Sequence, residues 1–186
     1  MSVAKLWANK VYEGEKFLEK VPEGYLADVE TILEEKKSQE SSDLYHYHIL
    51  KKVEELDKIC EQTIFNGLDI PLSDGTVRRF TLTERDQLNL SGLAIKLLMG
   101  AESVAWHEDD ETEHCIFLNR EDALNMISTL TAYKEYHITY FRDLRIYVNT
   151  LTSVADVEAI TYGFALPEEA KSDVLKTYEQ LLGSTN

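Results

Sequence analysis

The sequence has few of the residues that build cross-links and no run long enough for a membrane span. Its 186 residues include two cysteines, Cys60 and Cys115, which stand far apart in unrelated contexts. We therefore expect no disulfide framework, and the pattern fits synthesis in a reducing compartment. No apolar run approaches the roughly 18 residues that a transmembrane helix needs, and the first residues lack the long apolar core of a signal peptide.

Basic residues are also scarce. There are 19 Lys and Arg against 34 Asp and Glu, which gives a formal net charge of −15. No more than two basic residues are adjacent anywhere in the chain. Such a surface repels phosphate groups, so we expect neither nucleic-acid binding nor attachment to an anionic membrane. The charge favours solubility and would suit a basic partner.

What remains is an ordinary globular composition, with 44% hydrophobic and 28% charged residues. Glycine and proline number only eight and three, and neither interrupts residues 119–151. Apolar residues recur there at heptad spacing, which predicts one helix of about 30 residues, roughly 45 Å long. We expect the chain from Leu68 onward to pack beside this helix.

The first 65 residues read as helices. Residues 2–12 and 22–37 predict a small helical hairpin, and the polar residues 36–42 predict a linker. A third helix is expected to run to about Phe65, either as a coiled-coil arm or as an ordinary amphipathic helix. The predicted divisions are therefore a helical hairpin over 1–37, a linker and helix over 38–65, and a globular domain over 66–186.

Two β-hairpins are expected within the globular domain. Asp74-Gly75 between two apolar stretches is a strong hairpin signal, and a second hairpin is expected across the acidic loop 108–113. Between them, residues 84–99 predict a helix that is apolar on most sides and therefore central. Helices over 154–162 and from 167 to 182 complete the pattern. The predicted fold class is α+β, mostly α, with two β-hairpins around one long helix.

The acidic loop is the strongest candidate for a metal site. It runs His107-Glu-Asp-Asp-Glu-Thr-Glu-His114, so its carboxylates invite Ca²⁺ and its histidines invite zinc. However, it lacks the alternating ligands and central glycine of a calcium loop, and no third histidine lies nearby in the sequence. We expect a solvated turn and no bound metal.

The remaining histidines are expected to be structural. Tyr45-His46-Tyr47-His48 points in several directions on a helix, which favours aromatic packing against a partner chain. His137 lies among aromatic residues of the long helix and is expected to bond a backbone carbonyl. We find no nucleophile elbow and no glycine-rich phosphate loop, so we predict neither an enzyme nor a cofactor.

From about residue 66 onward the sequence resembles a known group of proteins. The segments that carry the resemblance are FNGLDIPLSDGTVRRFTLTERDQLNLSGL, GAESVAWHEDD, YKEYHITYFRDLRIYVNTL and VADVEAITYGFALPEEAKSDVLKTY. Together they resemble an uncharacterised domain family of phage tail modules from Gram-positive prophages, over about residues 66–182. Its members occur alone or attached to tail-fibre and baseplate-region proteins.

The resemblance implies a structural or adaptor protein of a phage or phage-derived tail tip, baseplate or tail fibre. Such a protein would bind other tail subunits, form a trimer or hexamer, and reside in the virion tail after synthesis in the host bacterial cytoplasm. The alternative is a tail-fibre assembly chaperone that leaves before the particle is finished. The family supplies no catalytic residues. The residues that we expect to contact partners are Leu6, Trp7, Tyr45, Tyr47, Ile49 and Val53.

Overall fold

The computed structural model describes residues 2–13, 18–107 and 114–183 and has the predicted α+β, mostly α fold. By their contacts the residues form two compact units, Met1–Lys51 and Lys52–Asn186. Three short 3₁₀ turns accompany the regular elements. In chain order these elements are α1 (Val3–Tyr12), α2 (Leu26–Phe65), β1 (Leu68–Pro71), β2 (Val77–Phe80), α3 (Glu84–Leu98), β3 (Ser103–Trp106), β4 (Ile116–Asn119), α4 (Arg120–Val148), α5 (Val154–Ala159) and α6 (Asp173–Gly183).

The first unit has a small apolar core. Helix α1 begins at Ser2, whose hydroxyl accepts a hydrogen bond from the backbone N–H of Lys5 at 3.2 Å. Trp7 packs against the core from its edge. The buried members are Ala4, Ala8, Val21, Val29 and Leu33.

Helix α2 shows that the predicted linker over residues 36–42 is wrong. The helix continues for 40 residues without a break, and Gln39 donates to Asp43 one turn later at 2.8 Å. This stretch is polar, but it contains neither glycine nor proline, and Lys, Glu and Gln are good helix formers. Low apolar content therefore did not end the helix. The three predicted divisions of the chain stay a prediction.

Both predicted hairpins are present. In the first, Leu68 pairs with Phe80 and Pro71 with Val77, around the Asp74-Gly75 turn. Gly75 has a φ of 84°, and the Asp74 carboxylate accepts from the backbone N–H of Thr76 at 2.8 Å. In the second hairpin β3 pairs antiparallel with β4, and the acidic loop between them, residues 108–113, lies outside the described residues.

The long helix α4 organises the second unit, as expected. It contacts α3, α6, β1, β3 and β4. Its N-cap Asn119 accepts from the backbone N–H of Asp122 at 2.9 Å, and the buried Asp122 carboxylate accepts from the backbone and hydroxyl of Ser73, each at 2.8 Å. The start of α4 and the turn of the first hairpin are thus fixed to each other. Fully buried core side chains include Phe80, Leu82, Leu118, Met126 and Leu130.

Helix α3 is not central, contrary to the prediction. It is covered on one side only. The helix begins with a capping box in which Thr83 and Asp86 satisfy each other's backbone N–H groups. The residues that α3 buries are Asp86, Leu90, Leu93 and Leu97.

Among the described residues, no helix combines the length and apolar character that crossing a membrane requires.

Candidate protein-binding surface

The outward side of α3 is apolar and exposed. With 3.6 residues per turn, Leu88, Gly92, Ile95 and Met99 lie opposite the buried positions, and Leu98 lies beside them. We call these five residues the α3 outer face. Its four large side chains expose between 57% and 85% of their surface. A helix with apolar residues all round normally has them all covered, so this face is a candidate binding surface.

Basic side chains border the α3 outer face. Arg85 and Lys96 are both exposed and lie along one edge of the face, about three helical turns apart. The one exposed acidic residue of the helix is Glu84, at its first position. In a chain with a net charge of −15, this basic border is a local exception.

Contacts at both ends of α3 fix which side faces outward. At the start, the buried Asp86 carboxylate accepts from the Thr83 backbone and lies 3.1 Å from Nε2 of His107, next to β3. At the end, the Arg120 guanidinium donates to the carbonyls of Leu97 and Ala101 at 2.7 and 2.9 Å. Positive charge at a helix C-terminus is also favourable for the helix dipole. The helix cannot rotate its outer face inward without breaking these contacts.

A cavity of about 290 Å³ lies beside this face, between α3 and the β3–β4 hairpin. Leu88 and Gly92 line it from the helix, and Ala105 and Trp106 line it from β3. Trp106 is 4% exposed, and its indole N–H has no hydrogen-bond partner among the described residues. Phe117 is directly opposite Ala105 in the hairpin and is strongly exposed. Because paired residues project to the same side of a sheet, Phe117 extends the apolar surface.

The first unit carries a second exposed apolar surface, on α2. Leu44, Tyr47 and Leu50 recur every three residues and expose between 54% and 69% of their surface. We call these three residues the α2 stripe. The acidic side chains of Glu40 and Asp43 lie on the same side of the helix. The Lys51 ammonium also lies there, 6.0 Å from the centre of the Tyr47 ring, so the border of the α2 stripe is mixed and carries more acidic than basic side chains.

The six predicted contact residues occupy different environments. Leu6 and Tyr47 are exposed, whereas Trp7 packs against the core of the first unit. Tyr45 and Val53 are half-buried. Ile49 is only 7% exposed, so the chain itself already covers it. Leu44, Leu50 and the α3 outer face were missed, although the all-round apolar pattern of α3 was a visible signal.

The candidate metal ligands are not brought together. His107 stacks on Trp106, with ring centroids 5.1 Å apart, and its Nε2 is directed to Asp86, while His114 is exposed. Within residues 2–13, 18–107 and 114–183, no group of three or more His, Cys, Asp or Glu side chains is placed to hold a metal ion. The carboxylates of residues 108–113 lie outside this description, so the solvated turn stays a prediction.

The His137 region is a hydrogen-bonded aromatic cluster. His137 Nδ1 lies 3.0 Å from the hydroxyl of Tyr162, where the sequence had predicted a backbone carbonyl. Tyr133 donates to the carbonyl of Thr63 at 2.9 Å. Burial raises the pKa of Tyr133 and Tyr162 and lowers the pKa of His137, so all three side chains are neutral near pH 7. These hydrogen bonds join α4 to α2 and to the segment that follows α5.

Comparisons with known proteins return one family. No curated protein and no solved structure matches the chain. A family model described as a domain of unknown function, DUF4376, matches residues 49–162. The matched region starts within α2 and includes both hairpins, α3, α4 and α5. Since it covers more than half of the 186 residues, the chain belongs to the DUF4376 family.

Proposed function

We propose that this protein is a structural or adaptor component of a phage or phage-derived tail tip, baseplate or tail fibre. It acts by binding other proteins and not by catalysis. The observation that carries the proposal is that each of the two units exposes its own apolar surface, the α2 stripe and the α3 outer face. An adaptor has to hold at least two neighbours, and two separate surfaces of this kind supply that capacity.

The assignment to a tail rests on the sequence resemblance over residues 66–182. The DUF4376 family has no known function and adds none to the proposal. The acidic charge supports binding to protein surfaces in preference to nucleic acid or anionic membranes. The partners are other tail or baseplate subunits together with further copies of this chain, in a trimer or hexamer within the virion tail.

In this proposal the two units have different tasks. The exposed side chains of Val3 and Leu6 on α1 attach the chain to a neighbouring tail subunit. The second unit, built around α4, is the globular head. Trp7, Tyr45 and Val53 are half-buried and Ile49 is buried, and their contact with partners stays a prediction.

Quantitative mass spectrometry of purified tail particles tests the role. We expect this chain at a fixed copy number that is a multiple of three or six, because tail tips and baseplates have that symmetry. A chain that is abundant in the producing cell but missing from clean particles would contradict the structural role. That result would support the alternative, an assembly chaperone that masks apolar surfaces of the tail fibre and then leaves.

A further inference from the structure

The two exposed surfaces match each other in shape and charge. The α3 outer face is an apolar ridge with a gap at Gly92, where a side-chain carbon would meet no atom within 4 Å. It is bordered by Arg85 and Lys96. The α2 stripe carries a large ring, Tyr47, and is bordered by two acidic residues and by Lys51.

We propose that the α3 outer face binds the α2 stripe of a second copy of this chain. The ring of Tyr47 would fit the gap at Gly92, between Leu88 and Ile95. With the two helices antiparallel, Asp43 of one copy would lie near Lys96 of the other, because each is four residues from the contact of Tyr47 with Gly92. Opposite charges across a contact fix its register and disfavour the contact of like surfaces. The inference rests on the proposed function only in that the chain acts by binding proteins.

The contact is heterologous, because two different patches meet. Repeated from copy to copy, such a contact gives a closed ring, an open chain, or a dimer in which each copy supplies both patches. A contact between two α3 outer faces would instead bring the basic borders of both copies together and leave the α2 stripe unused. The charge pattern therefore favours the heterologous arrangement.

The expected affinity is low. A fully exposed aliphatic side chain offers roughly 100 Å² of surface, so the four large residues of the α3 outer face supply roughly 300 Å². A stable interface buries about 800 Å² per partner. Association should therefore depend on concentration in solution and become complete where the tail holds copies close together.

Sedimentation velocity of the purified full chain tests this contact, over roughly 1 to 200 μM protein. Two variants each disable one surface, Ile95→Glu on α3 and Leu50→Glu on α2. Both sites are exposed helix positions, so the variants should keep the circular dichroism spectrum and melting temperature of the wild type. Ile146→Glu, at an equally exposed isoleucine of α4, is the matched control.

We expect the wild type and Ile146→Glu to associate as concentration rises, and each surface variant alone to stay monomeric. The glutamate that each surface variant places in the contact should raise the dissociation constant of self-association at least about 100-fold. An equimolar mixture of Ile95→Glu and Leu50→Glu should form a dimer and nothing larger. The mixture regains one intact contact, because the first variant keeps its α2 stripe and the second keeps its α3 outer face.

Three results would overturn the inference. The first is a wild type that is monomeric at every concentration. The second is a mixture that stays monomeric while the wild type associates. The third is a Leu50→Glu variant that still associates alone, which would assign the α3 outer face to a contact with itself. The assay contains no tail protein, so it fails or succeeds independently of the particle analysis that tests the proposed role.

Discussion

At the residue scale, Gly67 occupies a turn that has no room for a side chain. It joins α2 to β1 with a φ of 61°, and a side-chain carbon there would lie 1.7 Å from the carbonyl oxygen of Phe80. That oxygen belongs to the backbone of β2, so it cannot move aside as a flexible side chain would. The turn therefore depends on glycine for both its conformation and its space.

The change Gly67→Ala should lower the free energy of unfolding by at least about 2 kcal/mol, because it combines backbone strain with a backbone clash. Urea unfolding monitored by circular dichroism measures the change. Gly92→Ala is the matched control on an open helix position and should raise stability by about 0.5–1 kcal/mol. Equal effects of the two substitutions would contradict the strained turn.

His137 gives the fold a pH dependence. Burial lowers its pKa in the folded state below the value of about 6.5 in the unfolded chain. The unfolded state therefore binds more protons in this range, and stability falls as pH drops below about 6.5. The loss ends once the pH lies below the folded-state pKa as well.

Replacing His137 by Gln should remove this part of the pH dependence, as seen in urea unfolding of wild type and variant from pH 5 to pH 8. The wild type should lose unfolding free energy relative to the variant as the pH falls below about 6.5. His46→Gln is the control, because this histidine is exposed on α2. A His137→Gln profile parallel to that of the wild type would show that burial of the ring is not linked to stability.

At the scale of elements, helix ends decide how α3 is placed. Its N-terminal Asp86 is bound to Thr83 and directed to His107, and its C-terminal carbonyls accept from Arg120 of α4. These polar contacts lie at opposite ends of a helix whose two long faces are both apolar. Apolar pattern alone does not distinguish such faces, so the polar end contacts choose which one is buried.

Arg120→Met should therefore lower the free energy of unfolding by about 2–3 kcal/mol, because two partly buried charged hydrogen bonds are lost and the carbonyls they satisfied remain. Thermal and urea unfolding measure the effect. Arg142→Met, at an exposed position of the same helix, should change stability by less than about 0.5 kcal/mol. A similar loss in both variants would mean that Arg120 contributes through its helix and not through α3.

At the scale of the whole molecule, several apolar side chains remain exposed. Helix α1 exposes Val3 and Leu6 one turn apart. The α2 stripe and the α3 outer face are two further exposed apolar surfaces. Because the side chains of α1 named here are exposed, they can be changed by mutation without disturbing the fold of either unit.

The double change Val3→Asp, Leu6→Asp should reduce incorporation into tail particles at least about tenfold, since it places two charges in an apolar contact. Mass spectrometry of particles from a complemented mutant phage measures incorporation. Self-association and melting temperature should stay at wild-type values, because both side chains are exposed. Normal incorporation would contradict attachment through α1, and Ile146→Asp is the control for an exposed apolar residue elsewhere.

Local sequence patterns determined most of the elements. Asp74-Gly75 predicted the first hairpin, Asn119 and Asp122 predicted the start of α4, and the absence of glycine and proline predicted its length. These features depend on interactions within a few residues, which one sequence records directly. The linker over residues 36–42 failed for the same kind of reason, since helix propensity outweighed polarity.

Tertiary structure alone decided which apolar faces stay exposed. Leu90 and Ile95 look alike in sequence, but α4 and the hairpins cover the side of α3 that holds Leu90, while Ile95 faces solvent. Ile49 and Leu50 are neighbours on α2 with opposite exposure. Burial depends on which distant elements dock, and their contacts join residues far apart in the chain. The exposed apolar surfaces therefore follow from the packing of the elements, whereas the elements themselves follow from the sequence.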